Sequence, residues 1–276
     1  MTVSARRLAA LALTVPLGLG LTAQTASAAP KPKQKNRIST LAAKTGARTV
    51  SPKSVADELP PVDFRDCPQV LPVGIDPATA WCNLLITTGD EITMGKIVQP
   101  LDKPMTITQL LYADPVTGAE VVKTVAVRAP QLRVPGGVLG IPGTDDVFPL
   151  LRLDAGVELD KVETDLPNMR VGLGMRVKVG NPLLGDKCYI GSKTQPINLN
   201  LAIDPGKLEY IPTTPPLLKA VSTDNGFAVP GASGCGLLDP IVNFRAGLPS
   251  AAGANKATMV SYLTAKPYTE LKLARR

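Results

Sequence analysis

From Val62 onward the apolar residues of this chain alternate instead of recurring at helical spacing. Residues 170–179 set Val171, Leu173, Met175, Val177 and Val179 against Arg170, Gly172, Gly174, Arg176 and Lys178. A period of two puts all five apolar side chains on one face, the mark of a half-buried strand. Ile197, Leu199 and Leu201 alternate with Asn198 and Asn200 in the same way. Further strands are expected over residues 83–88, 106–112, 120–128, 147–153 and 157–163. Turn signals separate them at Asp114-Pro115-Val116-Thr117-Gly118, Pro135-Gly136-Gly137 and Ile141-Pro142-Gly143. With 27 prolines and 24 glycines among 276 residues, long helices have little room. The expected fold class is mainly β: an antiparallel β-sandwich or barrel-like sheet, stabilised by disulfides. One β-rich globular region over 62–276 is the simpler organisation. A subdivision near Val147 is the alternative, with the Pro-rich crossing 211–216 as a loop or hinge.

One short C-terminal helix is predicted. Asp239 suits the N-cap, Pro240 the first helical position, and Ile241, Val242 and Phe244 offer apolar contacts. Gly247 stands where a helix stops, with Pro249 just beyond. This helix should pack near Cys235 as one rigid corner.

The N-terminal end reads differently. Residues 1–28 have the form of a secretory signal: Arg6 and Arg7, an apolar run over 8–21, then Ala26-Ser27-Ala28 as a small-residue cleavage site. The net charge of +7 is concentrated just after it. Lys31, Lys33, Lys35, Arg37, Lys44, Arg48 and Lys53 face only Asp57 and Glu58 between 29 and 61, whereas 62–276 holds 21 basic and 21 acidic residues. Residues 29–61 are therefore expected to be a disordered basic leader. An anionic cell-wall polymer or another envelope component is the partner class that suits it. A neutral folded part with 4% aromatic residues argues against nucleic acid. No later stretch is long and apolar enough to span a membrane. A secreted, extracellular location follows, with envelope association through the leader.

Four cysteines, Cys67, Cys82, Cys188 and Cys235, allow three connectivities if all pair. The local pairs Cys67–Cys82 and Cys188–Cys235 are the simplest, with about 3 and about 4 kcal/mol of loop-closure stabilisation. Zinc is disfavoured because the chain has no histidine and no Cys-x-x-Cys.

The phrases Asn181-Pro182-Leu183-Leu184-Gly185-Asp186-Lys187-Cys188-Tyr189-Ile190-Gly191-Ser192 and Asp224-Asn225-Gly226-Phe227-Ala228-Val229-Pro230-Gly231-Ala232-Ser233-Gly234-Cys235-Gly236 resemble a family of secreted actinobacterial proteins. The continuation Ala246-Gly247-Leu248-Pro249-Ser250-Ala251-Ala252-Gly253 is similar too, so the resemblance covers about 181–253. It implies secretion and a Cys188–Cys235 pairing, and transfers no activity and no catalytic residue.

Absences restrict the chemistry. Without histidine there is no Ser–His or Cys–His nucleophile pair and no imidazole ligand. Gly231-Ala232-Ser233-Gly234-Cys235 fails Gly-x-Ser-x-Gly at its last position, so Ser233 reads as a turn residue. Tyr189 and Ser192 stand beside a cysteine, where a pocket lining competes with an ordinary satisfied hydroxyl. Two carboxylates can hydrolyse a glycosidic bond unaided, and Asp145, Asp146, Asp154, Glu158, Asp160, Glu163 and Asp165 are the acids to consider. Sugar sites favour aromatic platforms, and Trp81 is the one tryptophan. No Asp-x-Asp-x-Asp-Gly calcium loop occurs. Gly136-Gly137 and Gly172-x-Gly174 lack the strand–loop–helix setting of a phosphate cradle. No catalytic, cofactor-binding or metal residue is assigned.

Three functions remain. A non-catalytic secreted β protein acting at the cell surface or envelope, in a structural, adhesive or binding role, leads. A carrier or sensor of a small apolar ligand comes second, and a carboxylate-dependent hydrolase third. A filled core favours the first, an apolar cavity the second, and two inward carboxyls about 5–10 Å apart the third.

Overall fold

A computed structural model describes residues 36–141, 143–165 and 168–271. The signal expected over 1–28 and the start of the leader, 29–35, lie outside them. The described elements are α1 (Arg37–Thr45), β1 (Arg48–Thr49), a 3₁₀ segment (Pro52–Glu58), β2 (Trp81–Thr87), β3 (Glu91–Met94), β4 (Ile97–Pro100), β5 (Met105–Ala113), β6 (Glu120–Arg128), β7 (Leu132–Arg133), α2 (Thr144–Val147), β8 (Asp154–Asp165), β9 (Arg170–Gly180), β10 (Tyr189–Ile190), β11 (Ile197–Ile203), β12 (Glu209–Ile211), β13 (Leu217–Asp224), β14 (Ala232–Ser233), α3 (Asp239–Ala246) and β15 (Lys256–Pro267).

The fold is mainly β. Its spine is an antiparallel sheet in the order β6-β5-β2-β15-β13-β11-β9-β8, curled into a half-barrel. Two bulges assist the curl, one where Thr108 and Gln109 of β5 meet β6, the other between Leu159 and Lys161 of β8. An extra residue on one strand bends it and deepens its right-handed twist. Both bulges lie at the strands that end the curled sheet, β6 and β8, which do not pair with each other. The strands on either side of Val147 join this one sheet, within one compact unit over Lys35–Arg276.

The alternating apolar positions face the concave side. Val171, Leu173, Met175, Val177 and Val179 of β9 pack with Ile197, Leu199 and Leu201 of β11 and with Met259 of β15 in one large core. The convex side differs along the sheet. Behind β2, β5, β13 and β15, the chain from Val50 to Ile75 forms a second layer. Val55, Ile211, Leu217 and Tyr262 pack with Val50, Leu59 and Val62, and Leu110, Cys82 and Tyr268 with Phe64, Leu71 and Ile75. Lys219 fixes this layer through Glu58 at 2.7 Å, and Arg128 through Asp66. Burial opposes the Lys219 ammonium, but the Glu58 hydrogen bond and neighbouring Tyr262 and Glu209 outweigh it and hold its pKa above the usual lysine value.

Both disulfides pair as expected, Cys67–Cys82 with Cα atoms 6.0 Å apart and Cys188–Cys235 with 4.2 Å. The corner around Cys235 is stitched by α3. Asp239 accepts from the Cys235 N–H at 2.6 Å, while Asn243 accepts from the Ala232 N–H at 2.7 Å and donates to its carbonyl at 2.9 Å. The helix stops at Gly247, whose φ of 65° is the left-handed cap glycine adopts freely.

Three expectations are corrected. The basic leader is ordered over 36–61. Asn36 caps α1 through the Ile38 N–H at 2.9 Å, Gly46 ends it at a φ of 68°, and Ile38 and Ala42 bury a stripe against Trp81, Leu111 and Leu218. Net charge misled because Lys44 is exposed away from the stripe and Arg37, at its edge, pairs with Glu120. Residues 147–153 are no strand. Pro149 cannot donate to a ladder, and α2 and a 3₁₀ turn over Pro149–Leu151 replace it. In α3, Ile241 and Phe244 are exposed, and Ala246 is the buried residue.

Candidate functional site

The half-barrel is not filled. Beneath α1 lies a cavity of about 200 Å³ to which all eight spine strands contribute. Leu85 of β2, Ile107 and Leu111 of β5, Leu173 of β9, Leu201 of β11 and Leu263 of β15 give its wall an apolar character. A smaller annex of about 50 Å³ adjoins it, sharing Thr87, Leu173 and Met259. Together the two spaces are lined by Met94, Met105, Met169, Met175 and Met259, every methionine of the chain except Met1. Thioether side chains are flexible and polarisable, so such a lining adapts to apolar guests of different shape. An apolar cavity of about 150 Å³ already admits benzene.

A few polar groups interrupt this surface. Thr87 and Ser261 bond to each other at 3.0 Å across β2 and β15. Asn83 and Gln109 are direct cross-strand neighbours on β2 and β5, both on the cavity wall. Gln109 is only 4% exposed. The Oδ1 atom of Asn83 is buried with no hydrogen-bond partner among the described residues. Plain alternation along β5 sets Gln109 in phase with Ile107 and Leu111 on the inner face. At the rim, Arg37 of α1 bonds Glu120 of β6 at 2.9 Å, and Val122, Thr164 and Met169 edge the unpaired seam between β6 and β8. Trp81 packs above the cavity in contact with the α1 stripe, so it serves the core and offers no open platform for a sugar.

The acids considered from sequence do not converge inside. Glu158 is held by Arg176 at 2.7 Å and accepts from the Tyr189 hydroxyl at 3.1 Å. Partial burial, with the Glu158 bond and charge, holds the Tyr189 phenol above its ordinary range. Glu163 pairs with Lys161 at 2.7 Å, Asp154 with Arg152 at 3.2 Å and Asp146 with Arg133 at 2.7 Å. Asp165 accepts from the Asn168 side chain at 2.8 Å, and Asp160 is the extra residue of the β8 bulge. The side chain of Asp145 lies outside the described residues. Glu163 and Asp165 border an open outer groove with Arg170, Asn198 and Asn200, where nothing keeps water out.

Ser192 accepts from the Gln195 N–H at 3.0 Å, and Ser233 is exposed beside Gly234; neither lines the cavity. All four cysteines are in disulfides. Among the described residues, no cluster of three or more Cys, Asp or Glu side chains is placed to hold a metal, and no helix is long and apolar enough to cross a membrane.

Asn83 and Gln109 were not singled out from sequence. The available signal was phase: each stands in register with apolar residues of its own strand, Asn83 with Trp81 and Leu85, Gln109 with Ile107 and Leu111. Comparison with known protein families, curated proteins and solved structures finds no match to this chain.

Proposed function

We propose that this protein is an exported carrier or sensor of a small, mainly apolar ligand, held inside the half-barrel beneath α1. The observation behind this reading is the unfilled, mainly apolar cavity, walled by all eight spine strands, provided with a few convergent polar groups and adjoined by a methionine-lined annex. A chain that needed only a stable surface domain would gain by filling that space, since interiors pack densely and voids are destabilising. The signal-like start and the two disulfides support work outside the cell. The surface-acting reading draws support from the exposed, charged outer face of β8, β9 and β11.

Toluene is a suitable first probe, being slightly larger than benzene. Saturable binding should raise the melting temperature of the purified protein with ligand concentration. Trp81, next to α1, should report the same event by fluorescence. Ala220→Leu places bulk on the cavity wall and should abolish both responses. A wild-type protein that ignores both toluene and benzyl alcohol at saturation in water overturns the reading.

A further inference from the structure

We infer that the ligand carries an uncharged hydrogen-bonding head containing a donor, an alcohol or amide rather than a hydrocarbon or an ionised acid, and that Asn83 and Gln109 recognise it. This rests on the cavity being a ligand site.

The argument begins with an amide in the wrong company. Asn83 and Gln109 lie side by side on β2 and β5, on a wall otherwise built by Leu85, Ile107, Leu111 and Leu263. Buried polar groups are normally paired within the protein, and three of the cavity's other polar groups follow that rule: Thr87 bonds Ser261, and Ser222 donates to the Met259 carbonyl. Asn83 Oδ1 is the exception, a buried acceptor without a partner among the described residues. Leaving such a group unmade is costly, and turning the Asn83 amide onto a ligand hydroxyl or amide N–H in the cavity removes that cost. A hydrocarbon leaves it in place. A carboxylate has no proton to give to an acceptor, and no cationic side chain lines the wall beside the amides. Among the described residues, Arg37 borders the cavity at its rim and is bonded to Glu120, and Lys103 borders the annex and donates to the Gln131 carbonyl. An ionised head would enter an apolar space uncompensated.

Gln109 completes the site. Its amide supplies both donors and an acceptor, so a hydroxyl can donate to Asn83 while accepting from Gln109. The two side chains come from strands with a packed second layer behind them, through Leu110, Cys82 and Tyr268. Such backing holds a recognising group in place better than a free sheet face does.

The test compares four ligands of similar shape with the whole purified protein: toluene, benzyl alcohol, benzyl methyl ether and benzoate. Calorimetry or ligand-observed NMR gives each affinity. Benzyl alcohol should bind about tenfold more tightly than the ether, which can accept but not donate, with benzoate weakest. In Asn83→Leu the alcohol should lose that advantage and toluene should gain. Should Asn83→Leu fail to fold, the wild-type side-chain amide resonances decide: those of Asn83 and Gln109 should shift with benzyl alcohol and not with toluene. Equal affinity for alcohol and ether, or unmoved amide resonances, overturns the head-group assignment while leaving the cavity as a ligand site. If none of the four binds, both inferences fall.

Discussion

The two halves of the sheet share one concave face and differ in what stands behind it. Strands β2, β5, β13 and β15 are backed by the Val50–Ile75 layer, so many of their convex side chains are also buried: Cys82, Leu84, Ile86, Leu110, Leu217 and Tyr262. Strands β9 and β11 turn outward Arg170, Asn198 and Asn200, exposed, and Arg176, Lys178 and Gly172, half-buried, with Gly174 buried beneath Lys161 and Asn198. The cavity sits between the halves, and its polar groups are divided unevenly. Asn83, Thr87, Gln109, Ser222 and Ser261 come from the backed half, while the bare half supplies Val171, Leu173, Leu201 and Ile203, with Thr164 alone as a polar residue at its rim. Recognition groups stand on the wall whose position is fixed from both sides, and the thinner wall provides apolar shape.

Each half carries one disulfide, which gives the sharpest way to separate chain entropy from packing. Cys188→Ala with Cys235→Ala opens a span of 47 residues beside the bare half, and Cys67→Ala with Cys82→Ala one of 15 in the backing layer. Loop closure predicts losses of about 4 and about 3 kcal/mol, in that order, by urea denaturation. The reverse order would mean that the backing layer, not chain entropy, dominates.

Matched side-chain deletions on the convex faces come next. Leu110→Ala removes a buried side chain from the backed half and should cost about 3 kcal/mol. Asn200→Ala on the bare half should stay within about 0.5 kcal/mol of wild type. Similar losses at both positions would erase the distinction. Gly174 refines it, because a Cβ there would come within 3.1 Å of Lys161 Cβ. Gly174→Val should therefore cost about 1–3 kcal/mol even on a solvent-facing strand, and an unchanged urea midpoint would show that β8 yields freely.

The same contrast explains what could be read from the chain. On the bare half one face is wet, so β9 and β11 alternate cleanly and their register is plain in the sequence. On the backed half the alternation is blurred. Leu217, Leu218, Ala220 and Val221 of β13 are apolar regardless of face, and neither β13 nor β15 was anticipated. The α1 helix was missed for another reason: overall basicity hid the Asn36 and Gly46 caps and the Ile38–Leu41–Ala42 stripe. The cavity was illegible because it is a shortfall of volume summed over eight strands. Asn83 and Gln109 lie on strands apolar on both faces, so their phase alone does not tell a cavity wall from a packed core.

The smallest expected effect concerns how the backing layer is held at its edge. Arg128, at the end of β6, bonds Asp66, next to Cys67. That side-chain bond, followed by the charges of Arg128 and Arg65 and only partly offset by burial, keeps the Asp66 carboxyl below its ordinary 3.8. A carboxyl whose folded pKa is depressed stabilises the fold above its unfolded pKa, and this contribution is lost as pH falls through the lower folded value. Stability should therefore decline on acidification below about pH 4, and Asp66→Asn should flatten that limb of the curve. Arg128 is half exposed, so the difference should remain within about 1 kcal/mol and shrink in high salt. An Asp66→Asn protein with the wild-type acid limb would remove this pair from the anchoring of the layer and leave the Lys219–Glu58 contact and the Cys67–Cys82 bridge to hold it.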